Sequence, residues 1–196
     1  MKYIISGTNR PGSRSLKLAK LIQELYRGNG EKVEIIDLAE VGIEHLPAAA
    51  AYGDSAPPKM QVEIKKINEA DGIIIVCPEY NGSMPGALKY FIDHWTYPDS
   101  FEFRPFALIG LGARFGALRP IEHIQGVLGF RNAYIYPERI FVTDVHKALD
   151  ASGELIDKKL ETLLDQQVKG FQAFSKALSV AGIDANSKIA ARGPKV

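Results

Sequence analysis

The sequence contains a single cysteine, Cys77, among its 196 residues. One thiol excludes an internal disulfide framework and a cluster of thiolate metal ligands. The sequence also lacks an apolar run of transmembrane length, and its N-terminal apolar stretch is too short for a signal peptide. The formal net charge of +1 gives no electrostatic reason to expect nucleic acid as a partner. We therefore expect a cytoplasmic protein with no metal site, no membrane partner and no nucleic-acid partner.

Strand-like and helix-like segments alternate along the chain, which has the length of one domain spanning residues 1–196. Short β-branched runs are each followed by apolar residues at helical spacing. The five predicted strands are Lys2–Ser6, Lys32–Leu38, Gly72–Cys77, Pro105–Leu111 and Ala133–Val142. This alternation predicts an α/β protein with three layers and a five-stranded parallel sheet. Five strands favour the order 2-1-3-4-5 of a flavodoxin-like fold over the six strands of a full dinucleotide fold.

Two segments fall outside this alternation. Glu40–Met60 is a long stretch without periodicity, and loops of that size tend to be functional or mobile. The tail Gly182–Val196 also lacks periodicity, so we expect it to be partly disordered. Ligands of an open parallel sheet bind beyond the carboxyl ends of its strands. The candidate site therefore lies in the loops after strands one, three and four.

The first of these loops, within SGTNRPGSRSLKLAK, carries hydroxyls and arginines at the start of a predicted helix. Unpaired amides at a helix N-terminus favour an anion, and Arg10 or Arg14 would add charge-assisted hydrogen bonds. The loop thus favours a bound phosphate, with Ser13 and Ser15 among its ligands. The alternative is that Ser13 or Ser15 only caps the helix. The spacing of a P-loop is absent.

The second loop contains PEYNGSMPGALK after a continuous apolar strand. Together with GTNRPGSRS, this motif resembles the NAD(P)H-dependent FMN reductase family of flavodoxin-like proteins, which includes quinone, chromate and azo-dye reductases. The likeness runs along nearly the whole chain. The resemblance implies an FMN phosphate site and, in the second loop, contacts to the isoalloxazine ring. The implied phosphate ligands are Thr8, Arg10, Ser13 and Ser15; the implied ring contacts are Pro78, Glu79, Tyr80, Asn81 and Gly82.

The third loop, GLGARFGALRP, contains G-x-G-x-x-x-G after a strand, close to a dinucleotide fingerprint. It follows strand four, however, and no acidic residue lies at a strand end about 20 residues further on, as an NAD site would require. A Rossmann site is therefore disfavoured. The resemblance instead implies that Gly112, Ala113 and Arg114 touch the pyrimidine side of the flavin.

The resemblance implies an enzyme that transfers hydride from NADPH or NADH through bound FMN to quinones, free flavin or similar small acceptors. Main-chain amides near Asn81–Gly82 and Gly112–Ala113 would stabilise negative charge on the reduced ring. No side chain receives a catalytic role. One alternative is a flavodoxin-like FMN-binding electron carrier without NAD(P)H turnover, although such carriers are usually strongly acidic. Another is a family member that uses FMN as a substrate.

The resemblance also implies a homodimer or homotetramer. Trp95, Tyr97 and Phe101 are large apolar residues outside the predicted elements, and they favour an interface there. Cys77 ends an apolar strand and is predicted to be an inert core residue. The four histidines show no metal-ligand spacing.

Overall fold

A single parallel sheet organises the computed structural model, which describes residues 1–41, 56–150 and 154–193. Its order is β2-β1-β3-β4-β5, with β6 also pairing with β4. The strands are β1 Lys2–Ser6, β2 Val33–Asp37, β3 Gly72–Pro78, β4 Pro105–Leu111, β5 Tyr134–Ile135 and β6 Ile140–Val142. The predicted order 2-1-3-4-5 is confirmed, because β5 and β6 lie along the same side of β4.

Helices cover both faces of the sheet, as the continuous apolar strands predict. Alternate strand residues point to opposite faces, so Ile73 and Ile75 belong to one core cluster and Ile74 to the other. The helices are α1 Arg14–Gly28, α2 Pro58–Glu69, α3 Gly86–Asp93, α4 Leu118–Phe130, α5 Val145–Ala148, α6 Lys158–Val180 and α7 Ala185–Arg192. The first cluster packs against α2, α3 and α4, and the second against α1 and α6.

The fifth predicted strand, Ala133–Val142, is interrupted in the structure. Its two short pieces are separated by residues 136–139, which include Pro137. Proline has no N–H to donate to a sheet ladder, so the pairing with β4 stops there. The side chain of Gln167 on α6 bridges the gap, since its Nε2 donates to the carbonyls of Leu108 at 3.3 Å and Glu138 at 2.7 Å.

A further sequence expectation, an interface at the aromatic residues after α3, differs from the structure. Trp95 and Phe101 were expected at an interface, yet only 1% and 5% of their surfaces are exposed. Their aromatic rings pack against each other in the core, with a centroid separation of 5.3 Å, whereas Tyr97 is 47% exposed. Spacing along the chain cannot show which way a loop aromatic turns.

The C-terminal segment also forms a helix, α7, within the tail expected to be partly disordered. Its first turn is capped by Asp184, whose carboxylate accepts a hydrogen bond of 2.8 Å from the Ser187 amide. Asn186 then joins α7 to Asp71 at 3.0 Å. Residues 194–196 of the tail lie outside the described residues, as do residues 42–55 of the long loop.

Candidate active site

Hydrogen bonds join the three candidate loops at the carboxyl edge of the sheet. The Gly7 amide after β1 donates to the Val76 carbonyl of β3 at 2.9 Å. The Glu79 amide after β3 donates to the Leu111 carbonyl of β4 at 3.3 Å. The predicted adjacency of the loops therefore holds, because all three strands are parallel and end together.

The first loop presents hydrogen-bond donors around the N-terminus of α1. Ser13 is the N-cap, and its Oγ accepts a bond of 3.1 Å from the Leu16 amide. The amides of Arg14 and Ser15 have no acceptor among the described residues, and the same is true of the nearly buried Ser15 hydroxyl. Thr8 is also buried, whereas Arg10 is exposed. Ser13 therefore caps the helix, as the alternative interpretation predicts. The amide and the hydroxyl of Ser15 are not used for capping and could bind an anion.

The second loop turns through a tight hairpin at Tyr80–Ser83. The amides of Tyr80 and Ser83 each donate to the other residue's carbonyl, at 2.9 and 3.1 Å. Asn81 and Gly82 both have positive φ, at 52° and 79°, which is the conformation of a type I′ turn. Asn-Gly is the preferred pair for that turn because both residues tolerate it. Within the described part of the chain, the amides of Asn81 and Gly82 have no acceptor.

Two side chains of α4 contact the second loop from outside. The Ser83 hydroxyl lies 2.9 Å from His123 Nδ1, and the Glu79 carboxylate lies 3.7 Å from the guanidinium of Arg119. Sequence reasoning missed both supports. The available signal was topological: β3 and β4 are neighbours, so the helix after β4 begins beside the loop after β3.

The third loop is fixed by its own backbone. The Gly112 amide donates to the Val142 carbonyl at 3.0 Å, and the Gly112 carbonyl accepts from Val145 at 3.1 Å. The Gly112 amide is therefore already engaged, and the expected stabilisation of a reduced ring near Gly112–Ala113 stays a prediction that depends on the amides that follow it. Ala113 and Arg114 are exposed, and their amides have no acceptor within residues 1–41, 56–150 and 154–193.

Glycines let the third loop approach the sheet closely. A Cβ on Gly110 would stand 2.4 Å from the Gly116 carbonyl oxygen. Gly116 itself has a φ of 57° and packs against Phe141. The glycine spacing that imitates a dinucleotide fingerprint thus serves the packing of this loop against β4 and β6.

Two other reactive side chains, those of Cys77 and His94, are buried. Cys77 is completely buried, and burial, followed by the nearby charge of Glu79, raises the pKa of its thiol. His94 is buried and bonds through Nδ1 to the Tyr90 carbonyl at 2.8 Å, while His45 lies outside the described residues. Across the described ranges, no group of three or more potential metal ligands occurs. None of the described helices combines the length and apolarity that crossing a bilayer requires.

The chain matches the family model described as NADPH-dependent FMN reductase over residues 3–147. It belongs to the NADPH-dependent FMN reductase family. The resemblance noted from PEYNGSMPGALK and GTNRPGSRS is thereby confirmed. The protein is an oxidoreductase that depends on FMN, with NAD(P)H as its co-substrate.

Similar proteins support the same conclusion over almost the full length of this reductase. An NAD(P)H-dependent FMN reductase of Pseudomonas aeruginosa is 31% identical, and the match covers 89% of this chain and 94% of that protein. A probable NADPH:quinone oxidoreductase of Oryza sativa is 28% identical, covering 95% and 93%.

Solved structures agree on the fold. The flavoenzyme FerB of Paracoccus denitrificans, an NAD(P)H:(acceptor) oxidoreductase, superposes with a TM-score of 0.71 at 26% identity and covers 90% of this chain and 97% of its own. A short-chain flavodoxin gives a TM-score of 0.56 at 12% identity, which shows the shared fold alone. The electron-carrier alternative is therefore less well supported than the reductase.

Proposed function

We propose that this reductase passes electrons from NAD(P)H to quinones, free flavin or similar small acceptors, with FMN held across the three loops. The proposal is carried by a set of hydrogen-bond donors at the carboxyl edge of the sheet. These donors have no acceptor among the residues that the structure describes. They belong to all three loops and comprise the amides of Arg14, Ser15, Asn81, Gly82, Ala113 and Arg114 and the Ser15 hydroxyl. When bound, FMN supplies the ring that accepts hydride from the nicotinamide and passes electrons onward.

In this proposal the first loop holds the FMN phosphate. The start of α1 offers amides that have no acceptor in the described part of the chain, together with the positive end of the helix dipole, and both favour a dianion. Arg10 adds a charged donor, and the small side chains of the loop leave room for the phosphate oxygens. The proposed phosphate ligands are Thr8, Arg10, Ser13 and Ser15, with Ser13 acting mainly as the helix cap.

The second and third loops hold the ring. The amides of Asn81 and Gly82 are fixed by the hairpin, so they can face the pyrimidine oxygens without rearrangement. Ala113 and Arg114 contribute main-chain amides from the opposite loop, while Gly112 keeps the backbone close to the sheet. The proposed ring contacts are Pro78, Glu79, Tyr80, Asn81, Gly82, Gly112, Ala113 and Arg114.

We further propose a cytoplasmic homodimer or homotetramer built from one domain of residues 1–196. An exposed apolar surface supports the assembly, since Phe130 is 78% exposed and Tyr97 is 47% exposed. The Arg131 guanidinium lies over both rings, at 4.8 Å from the Tyr97 centroid and 5.0 Å from the Phe130 centroid.

The test is nicotinamide oxidation by the purified protein with FMN and either NADPH or NADH, with and without a quinone. We expect oxidation that the quinone accelerates. If FMN binds but neither nicotinamide is oxidised, the protein is an electron carrier and the proposal fails. Gel filtration of the FMN complex then separates a held cofactor from a substrate, because a substrate leaves the protein during the run.

A further inference from the structure

Two guanidinium groups, one from the third loop and one from the first turn of α4, lie over an exposed aromatic ring. The centroid of the Phe115 ring is 5.4 Å from Arg114 Cζ and 5.1 Å from Arg119 Cζ. The ring is 48% exposed, and both arginines are exposed as well. Phe115 belongs to neither core cluster, so the packing of the core does not account for it.

The charges around the ring are strongly unbalanced. The loop sequence GLGARFGALRP contains two arginines and no acidic residue. Arg119 lies in the first turn of α4, where the helix dipole disfavours a cation, and that turn has no acidic side chain. Arg119 forms an ion pair with the Glu79 carboxylate at 3.7 Å, too far for a full hydrogen bond. Arg114 has no ion pair within the part of the chain that the structure describes, so the cluster carries a net positive charge over an exposed ring.

Such a surface fits an aromatic ring that carries an anion. Arginine binds phosphate through paired N–H donors, and both arginine and phenylalanine stack on flat heterocycles. Two reactants of this enzyme have that chemistry: the adenosine 2′-phosphate of NADPH, and an acidic aromatic acceptor. An acceptor must lie on the flavin to receive electrons. The adenosine end of NADPH does not have to lie on the flavin, so it can bind on an exposed loop next to the flavin ring.

We propose that Phe115, Arg114 and Arg119 bind the adenosine 2′-phosphate of NADPH. The two guanidinium groups over Phe115 bind the 2′-phosphate, and the adenine packs against the exposed part of the Phe115 ring. The inference rests on the proposed function, because it names the part of the hydride donor that this loop selects. Such a site makes the enzyme prefer NADPH to NADH, since NADH has no 2′-phosphate for the arginines to bind.

The test measures binding of adenosine 2′,5′-bisphosphate and of adenosine 5′-monophosphate to the FMN-loaded protein by calorimetry. FMN is kept in place so that the bisphosphate cannot enter the first loop. We expect the wild type to bind the bisphosphate about tenfold or more tightly than the monophosphate. Arg119→Gln and Arg114→Gln should each remove most of that preference, whereas Phe115→Leu should weaken both ligands.

Arg131→Gln is the matched control, because Arg131 also lies over exposed aromatic rings, at the other end of the same helix. It should leave both affinities unchanged. Equal affinities for the two ligands in the wild type would overturn the proposal, as would an undiminished preference in both loop variants. So would weaker binding of anthraquinone-2-sulfonate by those variants alongside unchanged bisphosphate binding, because the cluster would then serve the acceptor.

Failure of the proposed function is visible separately. A wild type that binds the bisphosphate selectively but oxidises neither NADPH nor NADH retains the nucleotide site and refutes the reductase activity. Active oxidation of both nicotinamides with equal kcat/KM refutes the nucleotide site alone.

Discussion

The hydroxyl oxygens of Thr8 and Tyr80 lie 2.9 Å apart, and their hydrogen bond joins the loop after β1 to the hairpin after β3. The same Thr8 oxygen accepts a second bond, of 3.3 Å, from the Arg10 amide. One buried threonine thus connects the proposed phosphate site to the proposed ring site. The distance between these two loops sets the distance between phosphate and ring that the protein can hold.

Tyr80→Phe should weaken FMN binding by about two- to tenfold, since one hydrogen bond contributes about 0.5–1.5 kcal/mol. Thr8→Val removes the other partner, so the double variant should lose less than the two single losses combined. Titration with FMN, followed by fluorescence, measures the FMN affinity of the two single variants and of the double variant. Tyr97→Phe is the control, because the Tyr97 hydroxyl donates to Glu102 at 2.7 Å, away from the loops. Fully additive losses would show that the Thr8–Tyr80 bond does not contribute.

Arg10→Ala should raise the dissociation constant of FMN by roughly 10- to 100-fold, because it removes a charge-assisted bond to the phosphate. Riboflavin lacks the phosphate, so its affinity should stay within about twofold. Parallel titrations with the two flavins make the comparison. Arg27→Ala at the far end of α1 should change neither value. An equal loss for both flavins would refute the phosphate assignment.

Gly110→Ala should destabilise the protein by about 1–3 kcal/mol or more, because the new Cβ would meet the Gly116 carbonyl oxygen at 2.4 Å. Gly126→Ala is the matched substitution on α4, where a Cβ meets nothing within 4 Å. It should stabilise the fold by about 0.5–1 kcal/mol through better helix propensity. Thermal unfolding of both variants checks the pair. Similar melting temperatures for the two would contradict the close packing at Gly110.

Cys77 should resist thiol reagents in the folded protein at mildly alkaline pH. Burial raises the pKa of its thiol, so the thiol stays protonated through about pH 8–9, where an exposed cysteine ionises. The neutral thiol is favoured in the fold, and this contribution to stability is lost as pH rises above the range of an exposed thiol. A colorimetric thiol assay should detect the cysteine only after denaturation. Rapid labelling of the native protein would contradict its burial.

The strands could be predicted because their signal is local. Runs such as Gly72–Cys77 contain enough consecutive apolar residues to require burial on both faces, and that requirement leads directly to a parallel sheet. The break at Pro137 is also local, but it was overlooked because the apolar residues continue beyond it. Trp95, in the loop after α3, could not be placed, since its burial depends on aromatic partners such as Phe106 on β4.

The three loops of the candidate site could be predicted from the sequence, whereas their hydrogen bonds could not. Topology brings Thr8, Tyr80 and Ala113 to one edge of the sheet, whatever their side chains do. Which amides remain available depends on tertiary hydrogen bonds, and the Gly112 amide is used by Val142 on a strand that follows α4. The contacts of His123 and Arg119 depend on the orientation of α4 about its own axis, and the spacing of apolar residues does not define that orientation closely enough to predict them.

The interruption at Pro137 also affects how the molecule meets its neighbours. A long outer strand would present a row of open N–H and C=O groups on which another chain could add a strand of its own. Here β5 has two residues and β6 has three, and the carbonyl of Glu138 between them already accepts from Gln167. This edge of the sheet therefore offers few open backbone groups on which another chain could add a strand, and this disfavours aggregation.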